Sequence, residues 1–397
     1  MLHPNICLHQ VGYSDVMTPG RPQTSSLVRV FYPTVEGALR PRPLWTDSAP
    51  RDSCIQVIQA MFTRWPSWAR GGEYLLLPAL NKLGLSPTAF SLIFQAGWSV
   101  FGEVLSLPLH PEAVPLASPH YEGWPVVLFS HGLGVNRAGM SQLVYQLASQ
   151  GVVVFALEHR EGSACSSFYR ETREAELVAI PHRLVGEDDK EVEVRESQAK
   201  ERTAEVLRCL DLVAKVQAGE AIENVFSLAA PAPAPSALAG LLDLSSLHLM
   251  GHSFGGATVL LAATQLASSR KVAGVLALDP WMFPVHRLHL EVDLPIYVMN
   301  SEAFLLQENV DQVLRAAGAR RAEVEWSVLE GGVHLSATDI PSLFPQWGIR
   351  RGLGFMGAIS AEAAIAQINT RLWKYLGGKF EKTRAADKNS EKNNVRP

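Results

Sequence analysis

Leu247-His248-Leu249-Met250 runs into Gly251-His252-Ser253-Phe254-Gly255-Gly256, and that turn opens directly on Ala257-Thr258-Val259-Leu260-Leu261-Ala262-Ala263. The succession is strand, tight turn, helix. A turn this sharp leaves no room for bulk two residues to either side of the serine, which accounts for Gly251 and Gly255. It lifts the Ser253 hydroxyl above the strand ends and aims the N-terminus of the next helix at any oxyanion formed there. A bare Gly-x-Ser-x-Gly also occurs as an ordinary structural turn. The strand before it and the helix after it favour a nucleophile.

Outward from this turn, short apolar runs alternate with helical stretches. Leu27 to Tyr32, Val126 to Phe129, Val152 to Leu157, Leu247 to Met250, Val272 to Leu278, Ile296 to Met299 and Val324 to Val328 read as strands. Strands apolar on both faces and separated by helices specify a parallel sheet covered on both sides. The expected fold is therefore α/β, a mostly parallel central sheet with helices on both faces and N-terminal edge strands. One domain is expected over residues 1–376, with an apolar insertion at 65–101 and a charged loop at 161–196. A disordered polar tail is expected over 377–397.

Composition narrows the function. The 397 residues carry 35 Lys+Arg against 39 Asp+Glu, a net charge of -4, and 47% of them are apolar. That balance excludes a protein held on nucleic acid by its overall charge, so no nucleic-acid partner is expected. Cys7, Cys54, Cys165 and Cys209 form no Cys-x-x-Cys pair and read as reduced, packed thiols rather than a metal site. The first residues lack a basic segment followed by a long apolar run, residue 2 is Leu2 rather than glycine, and no Asn-x-Ser/Thr sequon occurs. There is also no run of about 18 apolar residues able to span a bilayer. A cytoplasmic location is the expectation.

A serine hydroxyl attacks only when a base takes its proton, so a histidine must follow the turn in sequence. His286, His289 and His334 are the candidates. His334 stands in Glu330-Gly331-Gly332-Val333-His334, just after the last strand, where the histidine of an α/β-hydrolase reaches back over the sheet. His286 and His289 lie in a Pro/Arg-containing stretch and read as polar surface. The acid is open between Asp279 and Glu302, each at the end of a strand beyond the turn. Asp293 precedes its strand, the wrong end of a parallel sheet. Asp279 ranks first. Two backbone N–H groups must receive the oxyanion: that of Phe254 and, from Ser130-His131-Gly132-Leu133-Gly134, that of Leu133. His131 and His252 read as packed, hydrogen-bonded supports, since one base suffices.

Phe129-Ser130-His131-Gly132-Leu133-Gly134, Glu158-His159-Arg160, Gly251-His252-Ser253-Phe254-Gly255-Gly256, Asp279-Pro280-Trp281-Met282-Phe283-Pro284 and His334-Leu335-Ser336-Ala337-Thr338-Asp339 follow one another in that order. Together they closely resemble the platelet-activating factor acetylhydrolase family, the group VII phospholipases A2, and its intracellular type most. The resemblance implies an α/β-hydrolase fold and a calcium-independent serine esterase. Such an enzyme removes acetyl, short or oxidatively truncated sn-2 acyl chains from phospholipids and uses no cofactor. The resemblance also implies Ser253, Asp279 and His334 as the catalytic residues, with Leu133 and Phe254 as oxyanion donors. A phospholipid substrate, a transient membrane or lipoprotein-like surface and a monomeric state are expected.

Phe90, Ile93, Phe94, Trp98 and Phe101 form one broad apolar face at helical spacing, too short to cross a bilayer. One reading is a buried helix. The other is an interfacial helix that meets lipid through apolar rather than charged groups, and the resemblance favours it. Two rivals in function stand beside the phospholipase: an esterase of small soluble esters, and a non-catalytic lipid-binding protein of the same fold.

Overall fold

The computed structural model describes residues 9–34, 42–43, 106–119, 122–185, 190–226, 235–266, 271–343 and 357–394, with side chains of the last helix as far as Gly377. The apolar residues singled out between 65 and 101 lie outside the described residues. Strands β1 (Gln10–Met17), β2 (Leu27–Thr34), β3 (Leu109–Pro111), β4 (Trp124–Ser130), β5 (Val153–Leu157), β6 (Leu242–His252), β7 (Gly274–Leu278), β8 (Ile296–Ser301) and β9 (Glu325–Leu329) build one sheet. It is nine-stranded, in the order β9-β8-β7-β6-β4-β5-β2-β1-β3. From β9 to β5 every neighbouring pair is parallel. β2 runs antiparallel to β5 and β1, and β3 returns parallel to β1 at the edge. The fold is that of an α/β-hydrolase.

Alternation along each strand divides the core. Val126 and Leu128 of β4, with Val153 and Phe155 of β5, meet one helical layer. Val127, Phe129, Val154 and Ala156 meet the other. Helices α2 (Glu191–Ala218) and α3 (Phe254–Thr264) cover the first face. α1 (Ser141–Ser149) and α5 (Ala361–Asn394) cover the second, and α4 (Gln307–Ala316) packs Val313 and Ala316 into the first core. Doubly buried strands explain the continuous Val/Leu/Ile runs of the sequence. Among the described residues, no helix is long and apolar enough to cross a membrane.

Three expectations need correction. The charged stretch 161–196 is not a loop throughout: Ser166–Tyr169 pairs with Val178–Pro181 as an antiparallel hairpin, and α2 has begun by Glu191. Charged residues fill the hairpin turn, between two short β-forming runs, and the first turns of α2. Residues 377–394 are not a disordered tail but the continuation of α5, in a segment rich in Ala, Lys, Glu and Arg, all good helix formers. Finally, Cys165 is disulfide-bonded to a partner outside the described residues, while Cys209 is a buried free thiol. Burial pushes the Cys209 thiol up, so it stays protonated and inert.

A buried ion network ties the antiparallel edge to the parallel sheet. Arg29 grips Asp15 with two bonds, Nε to Oδ1 at 3.1 Å and Nη2 to Oδ2 at 2.6 Å. Arg137 donates through Nε to Asp15 Oδ1 at 3.0 Å and through Nη1 to Glu158 Oε2 at 2.8 Å. Burial alone would raise the Asp15 carboxyl, but Arg29 and Arg137 outweigh it and hold it below the ordinary range. A folded value below the unfolded one means that this stabilisation is present above about pH 4 and is lost as pH falls through the folded value. Asp15→Asn leaves two buried guanidiniums without their shared counter-charge, and is expected to cost about 3–5 kcal/mol at pH 7. Urea unfolding should show that gap, and should show it narrowing below about pH 4.

Candidate active site

β6 ends in the tight turn, and the turn is strained. Ser253 takes φ 57° and ψ -120°, a left-handed conformation that non-glycine residues adopt at a cost of about 1–3 kcal/mol. A Cβ at Gly251 would lie 2.1 Å from the Gly255 carbonyl oxygen, and one at Gly255 would lie 2.0 Å from that of Ser130. Both partners are backbone and cannot swing away. Gly255→Ala should therefore lower stability by about 3 kcal/mol or more, read as a large fall in the thermal midpoint. Backbone bonds fix the serine: its N–H donates to the Leu278 carbonyl at 2.9 Å, and its own carbonyl accepts the Trp281 N–H at 3.0 Å.

The three residues singled out in sequence converge here. Ser253 Oγ and His334 Nε2 are 2.8 Å apart, with the residues 7% and 8% exposed, so the pair is nearly dry yet reachable. His334 Nδ1 faces Asp279 Oδ2 at 3.4 Å. Asp279 follows β7 at φ 44°, and β8 clamps its carboxylate: the Ser301 N–H donates to Oδ1 at 2.7 Å and the Ser301 hydroxyl to Oδ2 at 2.6 Å. Glu302 is exposed and accepts the Gly331 N–H at 2.7 Å, so it braces the loop before His334 instead of facing the ring. Asp293 is exposed and pairs with Arg320, His286 donates to the Phe283 carbonyl, and His289 is exposed.

Leu133 and Phe254 are on the two segments that meet over Ser253. A Cβ at Gly132 would come within 3.2 Å of Ser253 Cβ, so the loop after β4 lies against the serine. Phe254 is the first residue of α3. Neither the Leu133 nor the Phe254 amide donates to any described residue. Two unpartnered N–H groups beside a nucleophilic hydroxyl are what a developing oxyanion requires.

The supporting histidines are both buried. His252 Nε2 donates to the His334 carbonyl at 3.0 Å, and its ring stacks on His334 at 4.8 Å. Burial, then the neighbouring His334, pushes its imidazole down to about 3, so it is neutral. Its unfolded value is near 6.5, so acidification below about pH 6.5 favours the unfolded chain. Stability should fall from about pH 6.5 down to about pH 3, less steeply in His252→Gln, as urea midpoints would record. His131 donates from Nδ1 to the Gly132 carbonyl at 2.8 Å and accepts the His159 N–H at Nε2, 3.1 Å away. Beneath it, the Ser130 hydroxyl bonds His159 Nε2 at 2.7 Å, and His159 Nδ1 bonds Glu205 Oε2 at 2.6 Å. This trio copies the geometry of a catalytic set but is sealed from solvent. Burial, reinforced by Arg202, holds the His159 imidazole well below its ordinary range.

Two groups of side chains among the described residues bring potential metal-ligand atoms within 4.8 Å of one another. One is His252, Asp279 and His334, whose bonds are those above. The other is His159, Glu161 and Glu205, packed among Arg160, Arg202 and Arg208, whose positive charges oppose a second cation.

A family model described as platelet-activating factor acetylhydrolase, isoform II, matches residues 86–395. The chain belongs to the platelet-activating factor acetylhydrolase family. It is 29% identical over 379 residues to the platelet-activating factor acetylhydrolase of Cavia porcellus, a match covering 93% of this chain and 76% of that protein. It is 31% identical over 269 residues to that of Bos taurus, covering 64% of this chain and 58% of that one. A ferulic acid esterase from Streptomyces cinnamoneus shares the fold, with a TM-score of 0.55 at 17% identity, over 94% of this chain and 90% of that one. Family and fold together make the protein an ester hydrolase. Within this acetylhydrolase-family chain, sequence reasoning passed over Ser301, which clamps the acid, and Phe304, which stacks on His334 at 3.8 Å. It also passed over the polar start of the buried stripe of α2, Arg195, Gln198, Arg202 and Glu205. Charged residues at helical spacing ahead of Val206, Cys209 and Val213 were the available signal.

Proposed function

We propose that the protein is a calcium-independent serine esterase that hydrolyses the sn-2 acetyl, short or oxidised acyl ester of platelet-activating factor and related phospholipids. The observation that carries this reading is the Ser253–His334 bond at 2.8 Å, set beside two amides that donate to no described residue. His334 Nε2 takes the Ser253 proton as Oγ attacks the ester carbonyl, and the Leu133 and Phe254 amides receive the oxyanion. The Asp279 carboxylate stabilises the imidazolium. His334 returns the proton to the glycerol oxygen, releasing lysophospholipid and leaving an acyl-serine. The same base then activates water, which frees the carboxylate and restores Ser253. Membership of the acetylhydrolase family supports the choice of phospholipid and of a membrane or lipoprotein-like surface as its source.

The test is a series of phosphocholines whose sn-2 chain runs from acetyl to palmitoyl, assayed with and without EGTA. Highest kcat/KM on acetyl or short chains, unchanged by the chelator, is the expected result. Turnover confined to small soluble esters would replace the phospholipase with the simpler esterase, and loss of activity in EGTA would remove calcium independence.

A further inference from the structure

Arg202 is 0% exposed on α2, yet none of the catalytic steps above uses it. Its Nη2 donates to the His131 carbonyl, in the loop that carries the Leu133 amide. Its guanidinium lies 4.3 Å from the centroid of the Phe254 ring, the side chain of the residue that offers the other amide. Its hydrogen bond is to the His131 carbonyl alone among the described residues, since Nε and Nη1 have no acceptor there. The nearest counter-charge is Glu161, 3.8 Å from Nε. Burying a guanidinium with so few bonds is costly, and a packed apolar side chain would fill the same volume more cheaply. What the apolar side chain could not do is hold a carbonyl and an aromatic face at once.

We infer that Arg202 is a positioning residue for the oxyanion hole, a buried clamp that joins the loop after β4 to the start of α3 and so sets the spacing of the Leu133 and Phe254 amides. Their backbones also come close: the His131 carbonyl lies 2.8 Å from where a Gly255 Cβ would be. An outward drift of the loop would keep the serine, base and acid intact while separating the donors. Loss of the clamp therefore weakens transition-state binding and leaves substrate binding alone.

The inference rests on the esterase reading, and Ser253→Ala tests that reading separately. Arg202→Met should lower kcat about 100-fold, the scale of losing one oxyanion donor, with KM changed less than about threefold. Affinity for a trifluoromethyl-ketone analogue of the ester should fall in parallel with kcat. Arg202→Lys keeps the charge without the planar fork and should recover part of the loss. Phe254→Leu keeps the amide but removes the ring, and its effect should be non-additive with Arg202→Met, because both break one clamp. Arg195→Met, at a position also buried on the same helix, should lower the thermal midpoint with kcat per folded molecule unchanged. If Arg202→Met does not fold, Arg202→Lys and Phe254→Leu carry the test. Wild-type kcat and analogue affinity in the folded Arg202 variants would overturn the clamp, even with the esterase confirmed.

Discussion

Ser253→Ala is expected to lower kcat on a short-chain phosphocholine on the order of 10⁶-fold, while the thermal midpoint stays within a few degrees of wild type. The side chain removed is one hydroxyl whose partner is His334 Nε2. The backbone bonds that hold the turn, Ser253 N–H to Leu278 and Trp281 N–H to Ser253, survive the change. Alanine must still occupy φ 57°, so the strain of the turn is carried over and not added. Activity and stability should thus separate completely. Labelling by a fluorophosphonate should vanish in parallel. A residual rate above about one per cent of wild type would exceed what the remaining groups can supply and would move the nucleophile elsewhere.

The second large effect separates two carboxylates. Asp279→Asn should reduce kcat about 10⁴-fold, whereas Glu302→Gln should stay within a few-fold. The asparagine amide would turn an N–H toward His334 Nδ1, forcing that nitrogen to accept and placing the ring proton on Nε2, where it cannot receive one from Ser253. Ser301 would still bond the asparagine oxygen, so the loop after β7 should hold. In Glu302→Gln, by contrast, the new side chain still offers an oxygen to the Gly331 N–H that the carboxylate now accepts. Steady-state kinetics with thermal melts of both variants would decide the matter. Equal losses would mean that bracing the His334 loop matters as much as the charge.

Much of this was legible beforehand, for local reasons. The strands are buried on both faces, so their apolar runs were continuous and bounded by Gly and Pro, or by polar turn residues, as at Phe129 before Ser130 and at Met250 before Gly251. Ser253 and His334 were readable because the turn demands small residues at fixed spacing and because the base must come after the final strand. Asp279 needed more than local reasoning: Glu302 ends its strand equally well, and only the Ser301 clamp and the direction of His334 distinguish them. Arg202 was invisible to apolar periodicity, because α2 buries charged residues in its first half and Val and Leu in its second. Cys165 pairs with a distant part of the chain, and no spacing rule reports a bond between remote segments. The hairpin at 166–181 was hidden by the charges of its own turn.

The imidazole of His334 is held in a sandwich, with the Phe304 ring 3.8 Å away on one face and the His252 ring 4.8 Å away on the other. Its own carbonyl is bonded to the same His252. A ring so enclosed cannot rotate about the bond that joins it to the backbone, so its two edges never exchange places. One edge must therefore face the serine in the first half of every cycle and the incoming water in the second. The departing glycerol has to clear that edge before the water can arrive.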